Sequence, residues 1–168
     1  MTTMPIQPIT QTMWDEILKI QAEAYSDIEP ESLEALQSKW QQSPDCCFAY
    51  LEEKSEQEEK SILGYLLAHA WHSETPPKLY QTLPEGSHGT TLFLHDLALS
   101  KRAAGRGMGS QMVKHLLDTA ISSGFQNALL VSVQDSVPFW QKHGFVEVMN
   151  QQANESYGED AKIMMRAL

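Results

Sequence analysis

Most residues with chemical potential fall in one stretch, "LHDLALSKRAAGRGMGSQMV", residues 94–113. His95 and Asp96 stand together inside an apolar run of strand character. An imidazole with an unperturbed pKa of about 6.5 accepts a proton near neutrality, so His95 is the candidate general base. The competing reading makes it a polar strand residue bonded to Asp96 or to backbone. Asp96 points to the opposite side of a regular strand, and shares a site with His95 only if a bulge breaks the alternation. Further along, Gly105, Gly107 and Gly109 alternate with Arg106 and Met108 just before a helical pattern. A strand that passes through a glycine turn into a helix N-terminus gathers orphan N–H groups and the positive end of the helix dipole. Glycines without Cβ atoms let an anion approach that backbone, and Arg106 adds a possible phosphate contact. The turn is not a Walker loop, because no lysine precedes Ser110. Its G-x-G-x-G spacing also departs from the dinucleotide-binding G-x-G-x-x-G.

The elements that must carry these residues follow from periodicity. "MPIQPI" predicts a short first strand with edge prolines. Met13, Ile17, Ile20 and Ala24 recur at helical spacing after Thr10, a plausible N-cap. A second helix is expected over 30–42, with Pro30 near its start and Leu33, Leu36 and Trp40 on one stripe. "CCFAYLEE" and "SILGYLLAHAW" predict a hairpin around the acidic tip at 53–60, and "TTLFLHDLALS" a buried strand. From Met108, Met112, Val113, Leu116, Leu117, Ala120 and Ile121 define an amphipathic helix that Gly124 ends. "NALLVSV" is the next strand. A short helix capped by Asp135 or Ser136 follows, with Pro138 in its first turn, and then "FVEVM" and "AKIMMRAL" as strands. Residues 72–90 hold three prolines, two glycines and no clean period, the mark of a long loop that tends to be functional or disordered. The order β-α-α-β-β-β-α-β-α-β-β predicts an α+β fold on a mixed sheet.

At 168 residues, the chain is expected to form one domain, 1–168, with 42% hydrophobic and 20% charged residues typical of a soluble globule. No leader and no membrane span are expected. Adjacent Cys46 and Cys47 point to opposite faces of a strand, so no mutual disulfide is expected and a reduced cytoplasmic setting fits. A net charge of −10 argues against nucleic-acid binding. The charge is uneven: 13 Asp/Glu and 4 Lys/Arg in residues 1–60 against 9 and 8 in 61–168, so an anion can dock near the glycine run. Acidic residues within 23–34 point either to a cationic substrate or to solvated surface.

"LALSKRAAGRGMGSQMV" resembles the acetyl-CoA motif of the GNAT superfamily of N-acetyltransferases, [QR]-x-x-G-x-[GA] after a strand. "SVPFWQKHGF" resembles that family's second signature. "LHDLAL" and "VPFW" are similar to "LHxLA" and "VPFY" of its arylalkylamine N-acetyltransferase branch, where a histidine at this place takes part in catalysis. The resemblance implies a mixed, mostly antiparallel central sheet flanked by helices, the GNAT acyl-CoA N-acyltransferase fold. It implies acetyl-CoA as co-substrate, an amine acceptor, no metal, and one chain or a homodimer. Gly105, Arg106, Gly107, Met108, Gly109 and Ser110 would surround the pyrophosphate. Leu97, Ala98 and Leu99 would pair with the pantetheine arm in an opening between strands 91–99 and 127–133. Three positions depart from the pattern. The family's Gln or Arg falls on Ala104, so Arg102 or Arg106 would supply charge. Its asparagine falls on Val133. Its acid tyrosine falls on Trp140, an indole that would pack on the cofactor, and Tyr157, Tyr80, Ser132 or water are the candidate substitutes. A non-catalytic acyl-CoA-binding sensor is the alternative function that this last departure raises.

Overall fold

Alternation along the strands and the 3.6-residue helical period sort the apolar residues onto two faces of one sheet. The computed structural model describes residues 5–26, 29–52, 61–84, 86, 88–103, 105–158 and 160–168. The acidic segment 53–60 and Ala104 lie outside the described residues. The elements in chain order are β1 (Ile6–Pro8), α1 (Trp14–Ala24), α2 (Leu33–Gln42), β2 (Phe48–Leu51), β3 (Ile62–Trp71), β4 (Thr91–Leu99), α3 (Met108–Ser122), β5 (Asn127–Ser132), α4 (Val137–Lys142), β6 (Val146–Glu147) and β7 (Lys162–Ala167). They form a seven-stranded sheet in the order β1-β2-β3-β4-β5-β7-β6. Every neighbouring pair is antiparallel except β4 with β5. The expected element order is the observed one.

Leu66, Ala68, Leu92 and Leu94 face one side of the sheet, where they pack with Met112, Val113, Leu116 and Leu117 of α3. Tyr65 and Leu67, the alternate residues of β3, face the other side with Ile17 and Ile20 of α1 and Leu36 of α2. Ile17 and Leu36 are fully buried, each worth about 1.5–3 kcal/mol against exposure. Ile121, expected on the apolar stripe of α3, is instead exposed. At 100° per residue it lies roughly 130° from the centre of that stripe, outside what the sheet covers.

Several boundaries differ from expectation. Thr10, the expected N-cap of the first helix, precedes a 3-10 turn, Gln11–Met13, and α1 begins only at Trp14, with Met13 as its N-cap. The last but one strand is shorter than expected, Val146–Glu147. The second helix begins at Leu33, not near Pro30, because Ser32 is its N-cap: the Ser32 hydroxyl accepts the Ala35 N–H at 3.1 Å. Glu31 is thereby left in the connection between α1 and α2. Cys46 closes a 3-10 turn, Pro44–Cys46, and does not belong to β2. Cys47 also lies outside β2, so neither cysteine is the strand residue that was expected; both are free and they pack in different clusters, on opposite sides of the sheet.

Candidate active site

β4 carries His95 and Asp96, and its register decides where they point. Opposite β3, Leu67 pairs with Asp96 and the next residue, Ala68, pairs with Leu94. His95 is the extra residue of a β-bulge. The bulge reverses the alternation: Leu92 and Leu94 pack on the α3 side before it, and Leu97 and Leu99 do so after it. Asp96, which a regular strand would turn away from His95, therefore lines the same cavity.

The strands beside this bulge part. β4 pairs with β5 over only four residues, 91–94 against 127–130. Beyond that point β4 continues on β3 alone and β5 on β7 alone. Between the diverging strands lies a cavity of about 450 Å³, lined among others by Tyr25, Glu31, His95, Asp96, Leu97 and Trp140. That volume suits a small-molecule site. Four carboxylates line it, Glu29, Glu31, Asp96 and Glu155, and its described lining holds no Lys or Arg.

The groups around His95 come from distant parts of the chain. His95 Nε2 lies 2.6 Å from Glu31 Oε1, with both side chains buried. Glu31 Oε2 accepts the Tyr80 N–H at 3.1 Å, and Lys39 Nζ stands 3.8 Å away. Lys39, fully buried, also donates to the Gln81 carbonyl at 2.9 Å. Burial pushes the Glu31 carboxyl upward, but the His95 ring, Lys39 and the Tyr80 N–H outweigh it and bring the group down to about 2. Burial lowers the Lys39 ammonium in turn. Asp96 is tied by two phenols, Tyr25 at 2.6 Å and Tyr65 at 2.5 Å, and burial raises its pKa. His69, behind the bulge on β3, is pushed down to about 3 by burial and stays neutral. Glu31 was legible only as part of an acidic segment. Its partner lies 64 residues away, and no local spacing signals the pairing.

The glycine turn sits at the N-terminus of α3. Gly105 and Gly107 have φ of +79° and +73°, and a Cβ on either would meet nothing within 4 Å. Gly109 differs: a Cβ there would sit in ordinary van der Waals contact with Leu99 and Phe139 at 3.6 Å. Two glycines thus leave backbone open beside a helix N-terminus, an arrangement that an anion can approach. Arg106 and Ser110 are exposed there. The Ser110 hydroxyl meets His143 Nε2 at 3.2 Å, a neighbour that the sequence did not single out. Arg102 is paired with Glu52 at 3.0 Å.

Trp140 is buried between Phe139 and Phe145, and its N–H donates to Ser136 Oγ at 3.2 Å. The candidate substitutes for a tyrosine acid are engaged elsewhere. Tyr157 donates to the Pro77 carbonyl at 2.5 Å and Tyr80 to the Glu29 carbonyl at 2.9 Å. Ser132 meets Ser136 at 2.8 Å. Loop 72–84 is without helix or strand, yet these bonds hold it over the site, together with Leu79 N–H to Ser156 and Leu83 N–H to Ser38.

Solved structures share this architecture. Ard1 from Thermoplasma volcanium is 17% identical at a TM-score of 0.71, over 97% of this chain and 96% of its own. The ribosomal-protein-S18-alanine N-acetyltransferase from Escherichia coli is 15% identical at 0.61, over 96% and 92%. N-acetylglutamate synthase from Neisseria gonorrhoeae, solved with coenzyme A and N-acetyl-glutamate, is 15% identical at 0.68, over 97% of this chain and 34% of its own. No curated protein sequence matches the chain. A family model described as Acetyltransferase (GNAT) family matches residues 14–145, which include the bulged strand, the glycine turn and the short helix of Trp140. The mixed, mostly antiparallel sheet flanked by helices is the fold of that family, and the chain belongs to it.

Proposed function

We propose that the protein, as one domain over 1–168, transfers an acetyl group from acetyl-CoA to a primary amine of a small molecule or peptide, by direct attack on the thioester. The observation that carries this reading is the bulged His95 in a cavity that opens between β4 and β5 beside a glycine-lined helix N-terminus. Acetyl-CoA supplies the activated acyl group. Backbone N–H groups of Gly105, Arg106, Gly107, Met108, Gly109 and Ser110 hold its pyrophosphate. Leu97, Ala98 and Leu99 offer a strand edge to its amide-bearing arm, and Trp140 forms an apolar wall.

His95 accepts the proton of the incoming ammonium, which makes the nitrogen nucleophilic. A backbone N–H of the same strand stabilises charge developing on the acyl oxygen. Both oxygens of Asp96 accept from phenols, which suits it to fixing the bulge and to holding negative potential beside the ring. A thiolate with a reference pKa near 8.5 leaves without a tyrosine acid. Glu29 and Glu155 at the cavity favour an acceptor that carries positive charge.

The test is a panel of primary amines with acetyl-CoA, followed by release of CoA thiol and by mass of the product. Amine-dependent thiol release supports the reading, with cationic amines the better acceptors. The engaged hydroxyls around Trp140 favour a second reading, a non-catalytic acyl-CoA sensor. CoA binding with no thiol release across the panel would establish the sensor and overturn the transferase.

A further inference from the structure

We infer that Glu31 is a positioning residue that fixes His95 in one tautomer, with the proton on Nε2 and the lone pair on Nδ1. Nδ1 is then the atom that accepts the proton. The inference begins with what a carboxylate can do. Ionised Glu31 only accepts hydrogen bonds, so the 2.6 Å contact requires His95 Nε2 to carry the hydrogen. In the neutral ring this leaves Nδ1 bare. Nδ1 is buried and has no hydrogen-bond partner among the described residues. A buried nitrogen lone pair without a donor is costly to keep, and Nδ1 is the one ring atom left to take up a proton.

The surroundings immobilise Glu31 at both ends. Its backbone N–H donates to Gln21 Oε1 at 3.1 Å and its carbonyl accepts from Gln21 Nε2 at 3.3 Å, which ties it to α1. Its second oxygen faces the Tyr80 N–H and the Lys39 ammonium. Oε1 is thus left to His95. A buried carboxylate with a buried counter-ion stays charged while the imidazole beside it gains and loses its proton. The other titratable groups around the ring are Asp96 on β4 and His69 on β3, with Tyr25 and Tyr65 acting through Asp96. Lys39 and Tyr80 act through Glu31.

The kinetic part of this inference rests on the transferase reading; the structural part does not. Histidine-labelled protein at about pH 8, where a free imidazole is neutral, is examined by long-range proton–nitrogen correlation. The His95 signal is identified by its loss in His95→Ala. The expected pattern has Nε2 protonated and Nδ1 bare. In Glu31→Gln the amide can donate as well as accept, so the single tautomer gives way to a mixture or to its opposite. kcat then falls about tenfold or more, and the acidic limb of the kcat/KM profile moves to lower pH, with CoA affinity unchanged. If Glu31→Gln is unstable because Lys39 is left unpaired, the double variant with Lys39→Met removes that charge and is read in the same way. A bare Nε2 in the wild type, or an unchanged tautomer and pH limb in the variant, overturns the inference. The expected tautomer in a protein that releases no thiol keeps this assignment and removes the transferase; acetyl transfer with the opposite tautomer does the reverse.

Discussion

Gly107→Ala separates the two jobs of the glycine turn. Gly107 caps α3 with φ +73°, and an alanine held there costs about 1–2 kcal/mol of stability. Its methyl group meets nothing within 4 Å, so no packing loss adds to that figure. Gly124, at the other end of the same helix, has φ +88° and equally open surroundings. Gly124→Ala therefore carries the same backbone strain some 22 Å away, the length of a 15-residue helix. Denaturant unfolding is expected to show similar losses for the two variants. Calorimetry with CoA is expected to separate them. Each N–H bond to a phosphate oxygen is worth about 1.5–3 kcal/mol, so displacing the pyrophosphate from one such bond weakens binding by roughly 10- to 150-fold in Gly107→Ala. Gly124→Ala should bind like the wild type. The same CoA affinity in both variants would refute the cradle. Gly107→Val is a poorer probe, since a β-branched residue at positive φ adds strain that blurs binding with folding.

Further outcomes are expected elsewhere in the site. His95→Ala lowers kcat by roughly 10²–10³ with CoA binding intact, read by steady-state kinetics and calorimetry; in the wild type the acidic limb of the pH profile should not shift with the acceptor's own pKa. Trp140→Tyr trims a buried ring and loses about 1–2 kcal/mol in urea unfolding, but it retains or raises kcat. A tenfold fall in kcat at unchanged CoA affinity would give the Trp140–Ser136 bond a catalytic role. His69 sets an acid limit. Its folded value near 3 lies below the ordinary 6.5, so the unfolded chain binds the proton first. Its contribution is complete above pH 6.5 and declines toward pH 3. At pH 5 the loss is about 2 kcal/mol, 1.5 units at 1.36 kcal/mol each. His69→Phe should remove most of that pH dependence between pH 7.5 and 5, and equal slopes for both proteins would disprove it.

The order of elements was legible because nearly every strand and helix carries its own period. β4 matched its expected span closely, as did α3, whose stripe and terminal Gly124 are local signals. The start of α2 was misjudged because Pro30 and Ser32 both suit a helix entrance, and only the Ser32 hydroxyl bond decides between them. The glycine turn and His95 could be singled out by residue type. The bulge could only be posed as a condition, since one-residue slips depend on the partner strand and not on β4 itself. The Glu31 contact could not be found at all. It forms through the packing of α1, α2 and loop 72–84, which brings Gln21, Lys39 and Tyr80 to one carboxylate.

The parting of β4 and β5 also bears on how this protein avoids its own kind. A strand with an unsatisfied row of amides is ordinarily a template for the next molecule, and proteins blunt such rows with charge, proline or cover. Here the row runs through the middle of the sheet, with β3 behind one flank and β7 behind the other. Another sheet cannot lie alongside it without first displacing one half of the molecule. A single slender extended chain can. The fold keeps a pairing edge inside itself, where it excludes aggregation partners by width and admits a guest one strand thick.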